Sequence, residues 1–401
     1  MHTVYISRRF LVGPIPAFVL ITCAMATKTL APALGNDPPA RQVFKVATDG
    51  DALLLPVTIN GKQYSFLVDT CASSNLLDPA LTRHLVPLKK RARINGLALG
   101  QMYSMRGARV GAVALNDESE GARIDLSGFR DSSGHDIYGF LGMPFLLDQV
   151  VQVDFERGEL TLLKTAPHDA GNAFDISYDK LGALMMNIRF AGAESTAFYV
   201  DTGAISVGCS LELLREDIDR FDRRSSFVPS PIVSWVQTVN GREQSRQGWL
   251  HELPISGFRQ NWVGIGEGPR RAVGLYFLSK YLVTFDFPNK RLYLRTTKRS
   301  PDADPLDASG LHFVRRAGRT IIDGVDPKSP ADAAGIVVGD QIRTIDGKES
   351  TTTSLYQLRV LLASDGRKLR LVTEGTKGPR EVELQLPRQK RPLASPVYQE
   401  R

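Results

Sequence analysis

The 401-residue sequence predicts a mainly β protein in which two duplicated lobes form one pseudo-two-fold, bilobal β domain, followed by a small β-rich domain with short helices. Short apolar runs separated by Gly, Asn and Asp extend over residues 43–294, a pattern typical of β-strands and their turns. Sequence motifs recur at one separation in the two halves of that region. A polar, proline-containing linker at 296–307 then separates it from the C-terminal part.

The duplication is visible in three landmarks. Asp69 follows the apolar run Phe-Leu-Val, and Asp201 follows Phe-Tyr-Val. Gly142 and Gly274 each end a short apolar run, and each lies 73 positions after the aspartate of its own half. An Asp-Phe pair lies 85 positions after each aspartate. Three landmarks in one register are better explained by duplication of a lobe than by chance.

Asp-Thr-Gly-Ala after apolar residues, with a later apolar-apolar-Gly strand, resembles the aspartic proteases, and in particular retropepsin-like lobes. The resemblance covers residues 43–295. It implies that a first lobe at 41–166 and a second at 172–297 meet at a pseudo-two-fold axis. One aspartate from each lobe would contribute to a catalytic dyad, and Asp69 and Asp201 are the matching positions.

The chemistry of such a dyad explains why two acids are needed. Hydrolysis of a peptide bond without a metal or a covalent intermediate requires a base to activate water and an acid to protonate the carbonyl oxygen or the departing nitrogen. Two carboxylates about 3 Å apart cannot both ionise, so they share one proton and their pKa values separate. Because such a pair titrates as a unit, the sequence assigns neither role to either aspartate. The resemblance therefore implies an aspartic endopeptidase.

The same resemblance implies supporting roles for neighbouring residues. Thr70 and Thr202 match family threonines whose hydroxyls cross to the backbone of the opposite lobe and fix the separation of the aspartates. Gly142 and Gly274 would let a strand pass close to each aspartate-bearing turn, because glycine has no side chain to occupy that space.

The turn after the first aspartate departs from the family pattern. Cys71 stands where the family has glycine, as the second lobe does at Gly203, so it either strains the turn or crowds the axis. A nucleophilic thiol is the alternative, but no histidine spacing indicates a partner. Ala72 and Ala204 stand where pepsin-like enzymes often carry a hydroxyl that bonds the outer carboxylate oxygen. Loss of that donor is expected to raise the pKa of the dyad and extend activity toward neutral pH.

Three arrangements are open at this point. In the first, one chain folds both lobes around a single dyad and acts as a monomeric endopeptidase. In the second, the fold is the same but the dyad is inactive and the protein only binds peptides, which Cys71 favours. In the third, each lobe pairs with its twin in a second chain, giving a dimer with two dyads. The paired motifs favour the first arrangement, with a monomer as the expected state.

Two further kinds of local structure are predicted within the lobes. Gly-rich or polar stretches near 96–111 and 232–248 are expected to form hairpins that cover a bound substrate. Short helices are predicted soon after each aspartate motif, at 78–85 and 211–219.

The C-terminal part carries four motifs in a recognisable order. They are Gly-Leu-His-Phe at 310–313, Ser-Pro-Ala at 329–331, Gly-Asp-Gln-Ile at 339–342 and Ile-Asp-Gly at 345–347. This order resembles that of bacterial PDZ domains and covers residues 306–387.

A PDZ domain binds by adding an extended strand to an exposed sheet edge, while a pocket reads the terminal side chain. The resemblance implies that a loop captures the C-terminal carboxylate of a peptide or protein, but His312 replaces the second glycine of that loop. The partners expected for the whole chain are therefore a polypeptide substrate and a PDZ-bound peptide or protein C-terminus. A stabilising domain with a closed groove is the alternative. The residues predicted to form the groove are Gly310, Leu311, His312, Phe313, Leu358 and Leu362.

The N-terminal residues are typical of an export signal. Arg8 and Arg9 precede an apolar run at 10–26 that ends in small residues, so residues 1–33 are predicted to be a signal peptide and linker. We expect an exported, periplasmic protein. At the other end, residues 388–401 are predicted to be a basic tail.

The composition argues against several classes of function. The formal net charge of +7 comes partly from short basic runs without interleaved aromatic residues, so no nucleic-acid binding is predicted. After signal removal only Cys71 and Cys209 would be left, too few for a disulfide scaffold. No His or Cys cluster has metal-ligand spacing, and we predict neither a metal nor another cofactor.

Overall fold

The protein is described here from a computed structural model. The predicted signal peptide lies outside the described residues except for the short strand His2–Val4, and the predicted basic tail does so except for Arg388. No helix in the described part of the chain is long and apolar enough to cross a bilayer. The described residues are 2–4, 41–94, 98–189, 195–223, 226–232, 234–238, 241–251, 253–255, 258–260, 262–364, 366–376 and 378–388.

The first lobe is built on a nine-stranded sheet in which an interior strand leads to Asp69. That strand, Lys62–Val68, pairs antiparallel with Leu54–Ile59 and parallel with Gly139–Leu141. The Asp69 N–H donates to Leu141 O at 3.0 Å, so the parallel strand fixes the point where the aspartate leaves the sheet. The strands in spatial order are Pro87–Ile94, Ala98–Ser104, Glu120–Arg123, Asn75–Leu77, Gly139–Leu141, Lys62–Val68, Leu54–Ile59, Arg109–Val110 and Val113–Ala114.

The second lobe repeats this arrangement. Its aspartate strand, Ser195–Asp201, pairs antiparallel with Leu184–Arg189 and parallel with Ala272–Gly274. It belongs to a 13-stranded sheet that also contains the strands joining the two lobes. In spatial order these are Phe227–Pro229, Gln247–Leu250, Val263–Glu267, Leu211–Leu213, Ala272–Gly274, Ser195–Asp201, Leu184–Arg189, Asn172–Tyr178, Arg291–Thr296, Tyr281–Asp286, Val150–Asp154, Glu159–Leu163 and Arg41–Lys45.

A local two-fold axis passes through the strands that join the lobes. Val150–Asp154 pairs antiparallel with Tyr281–Asp286, and Gln152 lies opposite Thr284. The Gln152 amide donates to Thr284 Oγ1 at 3.0 Å, and the two residues are 132 positions apart. Equivalent residues of the two lobes therefore meet where these two strands pair. The mainly β fold class predicted from the sequence is confirmed, and the domain boundaries stay a prediction.

One hydrophobic core extends through both lobes. Phe66 and Phe198 on the two aspartate strands are both fully buried in it, as is Phe140 on the crossing strand. Burial of each such side chain contributes about 1.5–3 kcal/mol. Because the core is continuous, the two aspartate-bearing turns rest on one packed body rather than on two hinged ones.

The helices are short, and one begins later than expected. Within 211–219, Leu211–Leu213 is a strand bonded on both edges, and the helix is Arg215–Arg223. The prediction fails there because the sheet takes up the apolar residues, whereas acidic residues in the first turn favour the helix start. Pro79–Thr82 is helical within 78–85. The other helices are Ser127–Ser133, Met143–Leu146, Leu275–Leu278, Pro330–Ala333 and Leu355–Leu362.

The segment predicted to be a linker, 296–307, is packed onto the second lobe. Lys280 Nζ forms an ion pair with Asp304, and the two side chains are 1% and 0% exposed. The same nitrogen donates to Asp302 O at 2.7 Å, and the Gly264 N–H donates to Asp304 Oδ2 at 2.8 Å. Breaking such a pair leaves a buried charge uncompensated, which is costly. The segment is therefore held in place by a buried charge pair.

The C-terminal domain has its own sheet and core, yet it also packs on the lobes. Tyr356 on the helix Leu355–Leu362 is 3% exposed and belongs to the core cluster of the lobes. Its hydroxyl donates to Asp49 O at 2.5 Å. This domain is therefore docked on the first lobe. Its strands are Leu311–Arg316, Arg319–Val325, Gln341–Ile345, Lys348–Glu349, Lys368–Gly375 and Gly378–Gln385.

Candidate active site

The two predicted aspartates lie side by side at the junction of the lobes. Asp69 and Asp201 are 0% and 1% exposed. The Cys71 N–H donates to Asp69 Oδ1 at 2.7 Å, and the Gly203 N–H donates to Asp201 Oδ1 at 2.9 Å. A Cβ placed on Gly203 would lie 2.8 Å from Asp69 Oδ2. The turn of one lobe therefore touches the carboxylate of the other.

The threonines that follow the aspartates join the lobes by reciprocal hydrogen bonds. Thr70 Oγ1 donates to Val200 O at 2.5 Å, and Thr202 Oγ1 donates to Val68 O at 2.8 Å. Each backbone N–H donates to the hydroxyl of the other threonine at 3.1 Å. All these atoms are buried, so the bonds hold the aspartate-bearing turns at a fixed separation.

The two strand-end glycines differ in how tightly they are packed. A Cβ on Gly142 would lie 2.4 Å from Ala72 O, which leaves no room for a side chain. A Cβ on Gly274 would have Cys209 O as its nearest neighbour at 3.4 Å, an ordinary contact. The expectation that only glycine fits is therefore wrong at Gly274, because the backbone of the second lobe stands further from the crossing strand.

Cys71 fits its turn without backbone strain. Neither Cys71 nor Gly203 has a positive φ, so the turn does not need a conformation that favours glycine. The Cys71 side chain is 1% exposed, and its sulfur lies 3.5 Å from Val200 O of the second lobe. The thiol therefore occupies space at the lobe junction, in the immediate surroundings of Asp201.

The second oxygens of the two aspartates have different surroundings. No donor in the described part of the chain reaches the buried Asp69 Oδ2. In contrast, Arg270 Nη2 donates to Asp201 Oδ2 at 2.6 Å, with Arg270 only 8% exposed. Arg270 was not predicted, since one of two adjacent arginines ahead of a strand carries no local signal. Ala72 and Ala204 are both buried and supply no hydroxyl.

Burial and charge determine the protonation of the pair. Burial, together with the nearby charge of Asp201, raises the pKa of Asp69 to about 7. Burial also raises the pKa of Asp201, and the Arg270 guanidinium opposes that rise. A carboxyl group that keeps its proton near neutral pH can act as a general acid beside an ionised partner.

A hairpin lies within the predicted stretch of the second lobe, and another overlaps the predicted stretch of the first lobe; that they cover a substrate stays a prediction. In the first lobe, Pro87–Ile94 pairs with Ala98–Ser104, and the tip at 95–97 lies outside the described residues. In the second lobe, Ser234–Thr238 pairs with Gly241–Ser245, and residues 239–240 lie outside them. Within the described ranges, no group of three His, Cys, Asp or Glu side chains is arranged to hold a metal ion.

The residues predicted to form the PDZ groove are all buried. Leu311, Phe313, Leu358 and Leu362 are between 0% and 3% exposed and belong to the core cluster of the C-terminal domain. His312 is 1% exposed and pairs with Asp326 at 2.8 Å, and burial lowers the pKa of His312 to about 4.

The loop expected to capture the carboxylate of a peptide already binds the side-chain carboxylate of Asp307. The Asp307 carboxylate accepts from the N–H groups of Ser309 and Gly310, both at 3.1 Å. The Leu311 N–H donates to Ser309 Oγ at 3.0 Å. The Gly310 turn has φ of 67°, a left-handed conformation that favours glycine. These backbone donors are therefore satisfied within the domain.

A helix of the first lobe lies against the same part of the PDZ domain. Arg359 Nη2 donates to Ser132 O at 2.7 Å and to Phe313 O at 3.1 Å, so it links that helix to the edge strand. A Cβ on Gly134 would lie 2.8 Å from Leu355 Cγ. The segment that contains Ser127–Ser133 therefore packs where helix and edge strand of the PDZ domain meet.

Comparison with known proteins agrees with the predicted types of domain. Residues 55–145 match the family model described as aspartyl protease, and residues 321–374 match the PDZ domain model. No curated protein matches the chain.

Two solved structures resemble parts of the chain. The crystal structure of an aspartic proteinase from Irpex lacteus is 15% identical in sequence. The match covers 66% of this chain and 100% of the proteinase chain, with a TM-score of 0.46. The photosystem II D1 C-terminal processing protease is 25% identical over 20% of this chain and 22% of its own, with a TM-score of 0.19. The family matches therefore show an aspartyl protease-type domain within the first half of the chain and a PDZ domain in its C-terminal part.

Proposed function

We propose that the protein is an aspartic endopeptidase in which Asp69 and Asp201 form one dyad within a single chain. The observation that carries the proposal is the reciprocal bonding of Thr70 and Thr202, which fixes two buried aspartates from equivalent positions of the lobes at one junction. One carboxylate would activate water, and the other, still protonated, would protonate the carbonyl oxygen.

A second candidate is a peptide-binding protein of the same fold that does not hydrolyse its ligand. It is favoured by the ion pair between Arg270 and Asp201, which occupies an oxygen of the dyad, and by the bulk of Cys71 at the turn. The first candidate is preferred because both Oδ1 atoms accept a turn N–H, so the two carboxylates are held in the same way in both lobes.

The PDZ domain has a positioning role in this proposal. Tyr356 and Arg359 dock it on the first lobe, and the helix Ser127–Ser133 of that lobe contacts the PDZ helix and edge strand through Arg359. Recruitment of a polypeptide by that groove would require the segment around Ser127–Ser133 to move away. An exported, periplasmic location and a monomeric state are part of the same proposal, on the basis of the N-terminal sequence and the paired motifs.

Cleavage of peptides by the purified protein tests the proposal. A diverse peptide mixture is incubated from acid to neutral pH with the wild type, Asp69→Asn and Asp201→Asn, and new termini are identified by mass spectrometry. Asp117→Asn is the matched control, since that carboxylate is 74% exposed in the first lobe. Cleavage that is lost in both dyad variants and kept in the control supports one dyad. Cleavage that survives in either dyad variant overturns it, and peptide binding without cleavage by the folded wild type supports the second candidate.

A further inference from the structure

The two carboxylates of the candidate dyad are equivalent at one oxygen and different at the other. Each Oδ1 accepts the N–H of the residue two positions further along. Asp201 Oδ2 accepts from Arg270 at 2.6 Å, whereas no described donor reaches Asp69 Oδ2. The pseudo-symmetry of the lobes is therefore broken at the point where the proton of the dyad resides.

The chemistry of arginine decides which carboxylate is ionised. A guanidinium group stays protonated in proteins, and a charge that is buried needs a partner of opposite charge. Arg270 is 8% exposed, and the carboxylate oxygen in contact with it belongs to Asp201. A proton on Asp201 would leave this cation facing a neutral acid, while a proton on Asp69 leaves the ion pair intact.

We propose that Arg270 is a positioning residue that assigns the two roles of the dyad: Asp201 is held ionised as the general base, and Asp69 carries the shared proton as the general acid. This inference rests on the proposed endopeptidase function and deepens it. It supplies the assignment that the sequence leaves open.

The proton transfers balance with this assignment. Asp201 takes a proton from water as the water oxygen bonds to the carbonyl carbon, and Asp69 gives its proton to the carbonyl oxygen. In the neutral diol that results, Asp69 then takes a proton from one hydroxyl, and Asp201 gives its proton to the nitrogen as the carbon–nitrogen bond breaks. The products are a carboxylic acid and an amine, and the dyad returns to its starting state.

The neighbours of Arg270 hold it in place. Its guanidinium carbon lies 4.5 Å from the centre of the Tyr199 ring, a cation–π contact. The Tyr199 hydroxyl donates to Asp179 Oδ2 at 3.1 Å, which fixes the ring. The next residue, Arg271, bonds both oxygens of Asp217 instead of the dyad.

Other titratable groups near the dyad agree with the assignment. Burial and the charge of Asp201 raise the pKa of Asp69 to about 7. Burial raises the pKa of Asp201, and Arg270 and, to a smaller extent, the Cys71 side chain oppose that rise. The groups that face Asp201 are therefore Asp69, Cys71 and Arg270, with Tyr199 beside the arginine.

The test is a direct titration of the aspartate carboxyl carbons by NMR in the full-length mature protein with labelled aspartate. Asp69→Asn and Asp201→Asn assign the two signals. The variants are Arg270→Gln, which removes the charge, and Arg270→Lys, which keeps it. Arg291→Gln is the control, since Arg291 is 44% exposed and pairs with Asp175. Circular dichroism and thermal melting show whether each variant is folded.

We expect Asp201 to ionise before Asp69 in the wild type. In Arg270→Gln the pKa of Asp201 should rise by about 1–3 units, the usual effect of losing an opposite charge, with a smaller rise in Arg270→Lys and none in the control. In peptide cleavage, the acidic limb of the kcat/KM profile should move to higher pH by the same amount.

Ionisation of Asp69 first in the wild type would overturn the proposal, even if Arg270→Gln fails to fold. An unchanged pKa of Asp201 in folded Arg270→Gln would also overturn it. So would faster cleavage by Arg270→Gln at every pH, because Arg270 would then be an inhibitor of the dyad. Because the titration needs no turnover, absence of cleavage by the wild type counts against the endopeptidase proposal and leaves the assignment to be decided by NMR.

Discussion

The hydroxyl oxygens of Thr70 and Thr202 each accept a hydrogen bond from the backbone N–H of the other threonine at 3.1 Å. Each hydroxyl also donates to a backbone carbonyl of the opposite lobe. The pair joins the two halves of the chain at the candidate dyad. The spacing of Asp69 and Asp201 therefore depends on side chains that are not themselves reactive.

Replacement of Thr70 by valine tests this link. Thr70→Val keeps the shape but removes the donor to Val200 O and the acceptor of the Thr202 N–H, so buried polar groups lose their partners. We expect the free energy of unfolding to fall by about 1–3 kcal/mol and peptide cleavage to weaken. Urea unfolding and initial rates measure both effects. Thr70→Ser, which keeps the hydroxyl, is the control, and equal losses in the two variants would contradict the prediction.

The raised pKa of Asp69 predicts a specific dependence of stability on pH. Its pKa is about 7 in the folded protein, against a value of 3.8 for an unperturbed aspartate. Between these values the folded state keeps a proton that the unfolded state has released, so stability falls as pH rises from about 4 to 7. Asp69→Asn should not show this decrease, so its free energy of unfolding should rise relative to that of the wild type as the pH increases over that range. Denaturant unfolding at a series of pH values measures it, and parallel curves would show that Asp69 does not hold the proton.

The two strand-end glycines should respond differently to alanine. In Gly142→Ala the new Cβ would lie 2.4 Å from Ala72 O, so the turn beside Asp69 must shift, at a cost of about 1–3 kcal/mol. In Gly274→Ala the nearest atom is 3.4 Å away, and we expect a much smaller change. Thermal unfolding of both variants compares them directly. A larger loss for Gly274→Ala would contradict the packing described for the two lobes.

Docking of the PDZ domain should limit its binding of peptides. Asp131 forms an ion pair with Arg316 at 3.0 Å, and Tyr356 donates to Asp49 O, so both hold the PDZ domain on the first lobe. The double variant Asp131→Asn with Tyr356→Phe is expected to bind a fluorescent peptide with a free C-terminal carboxylate roughly three- to tenfold more tightly than the wild type.

Fluorescence anisotropy measures this affinity, and Asp136→Asn, an exposed residue near the same helix, is the control. If the double variant binds the peptide no better than the wild type does, docking does not restrain the groove. In that case the internal bonds of Asp307 to the loop would account for weak binding by themselves.

The sequence by itself determined the duplicated lobes, the mainly β class and the presence of a PDZ domain, because motifs and their spacing along the chain indicate each of them. The separation of 132 positions that relates Thr70 to Thr202 also relates Gln152 to Thr284. The repeated motifs were enough to predict two equivalent lobes, and the resemblance to aspartic proteases supplied the expectation that the lobes meet at one axis. The mainly β class followed from the strand patterns, and the presence of a PDZ domain from four motifs in order. At 211–219 apolar residues suggested a helix, and the sheet took the first three as a strand.

Only the tertiary structure decided what surrounds the dyad and the PDZ groove. Arg270 lies 69 positions from Asp201 and Arg359 lies 227 positions from Ser132, yet each pair is in hydrogen-bond contact. No periodicity or motif relates such residues. The first contact forms when the second lobe folds, and the second forms when the PDZ domain packs on the first lobe. In both cases a buried charge or carbonyl must find a partner, a condition that the tertiary fold sets and no local segment does.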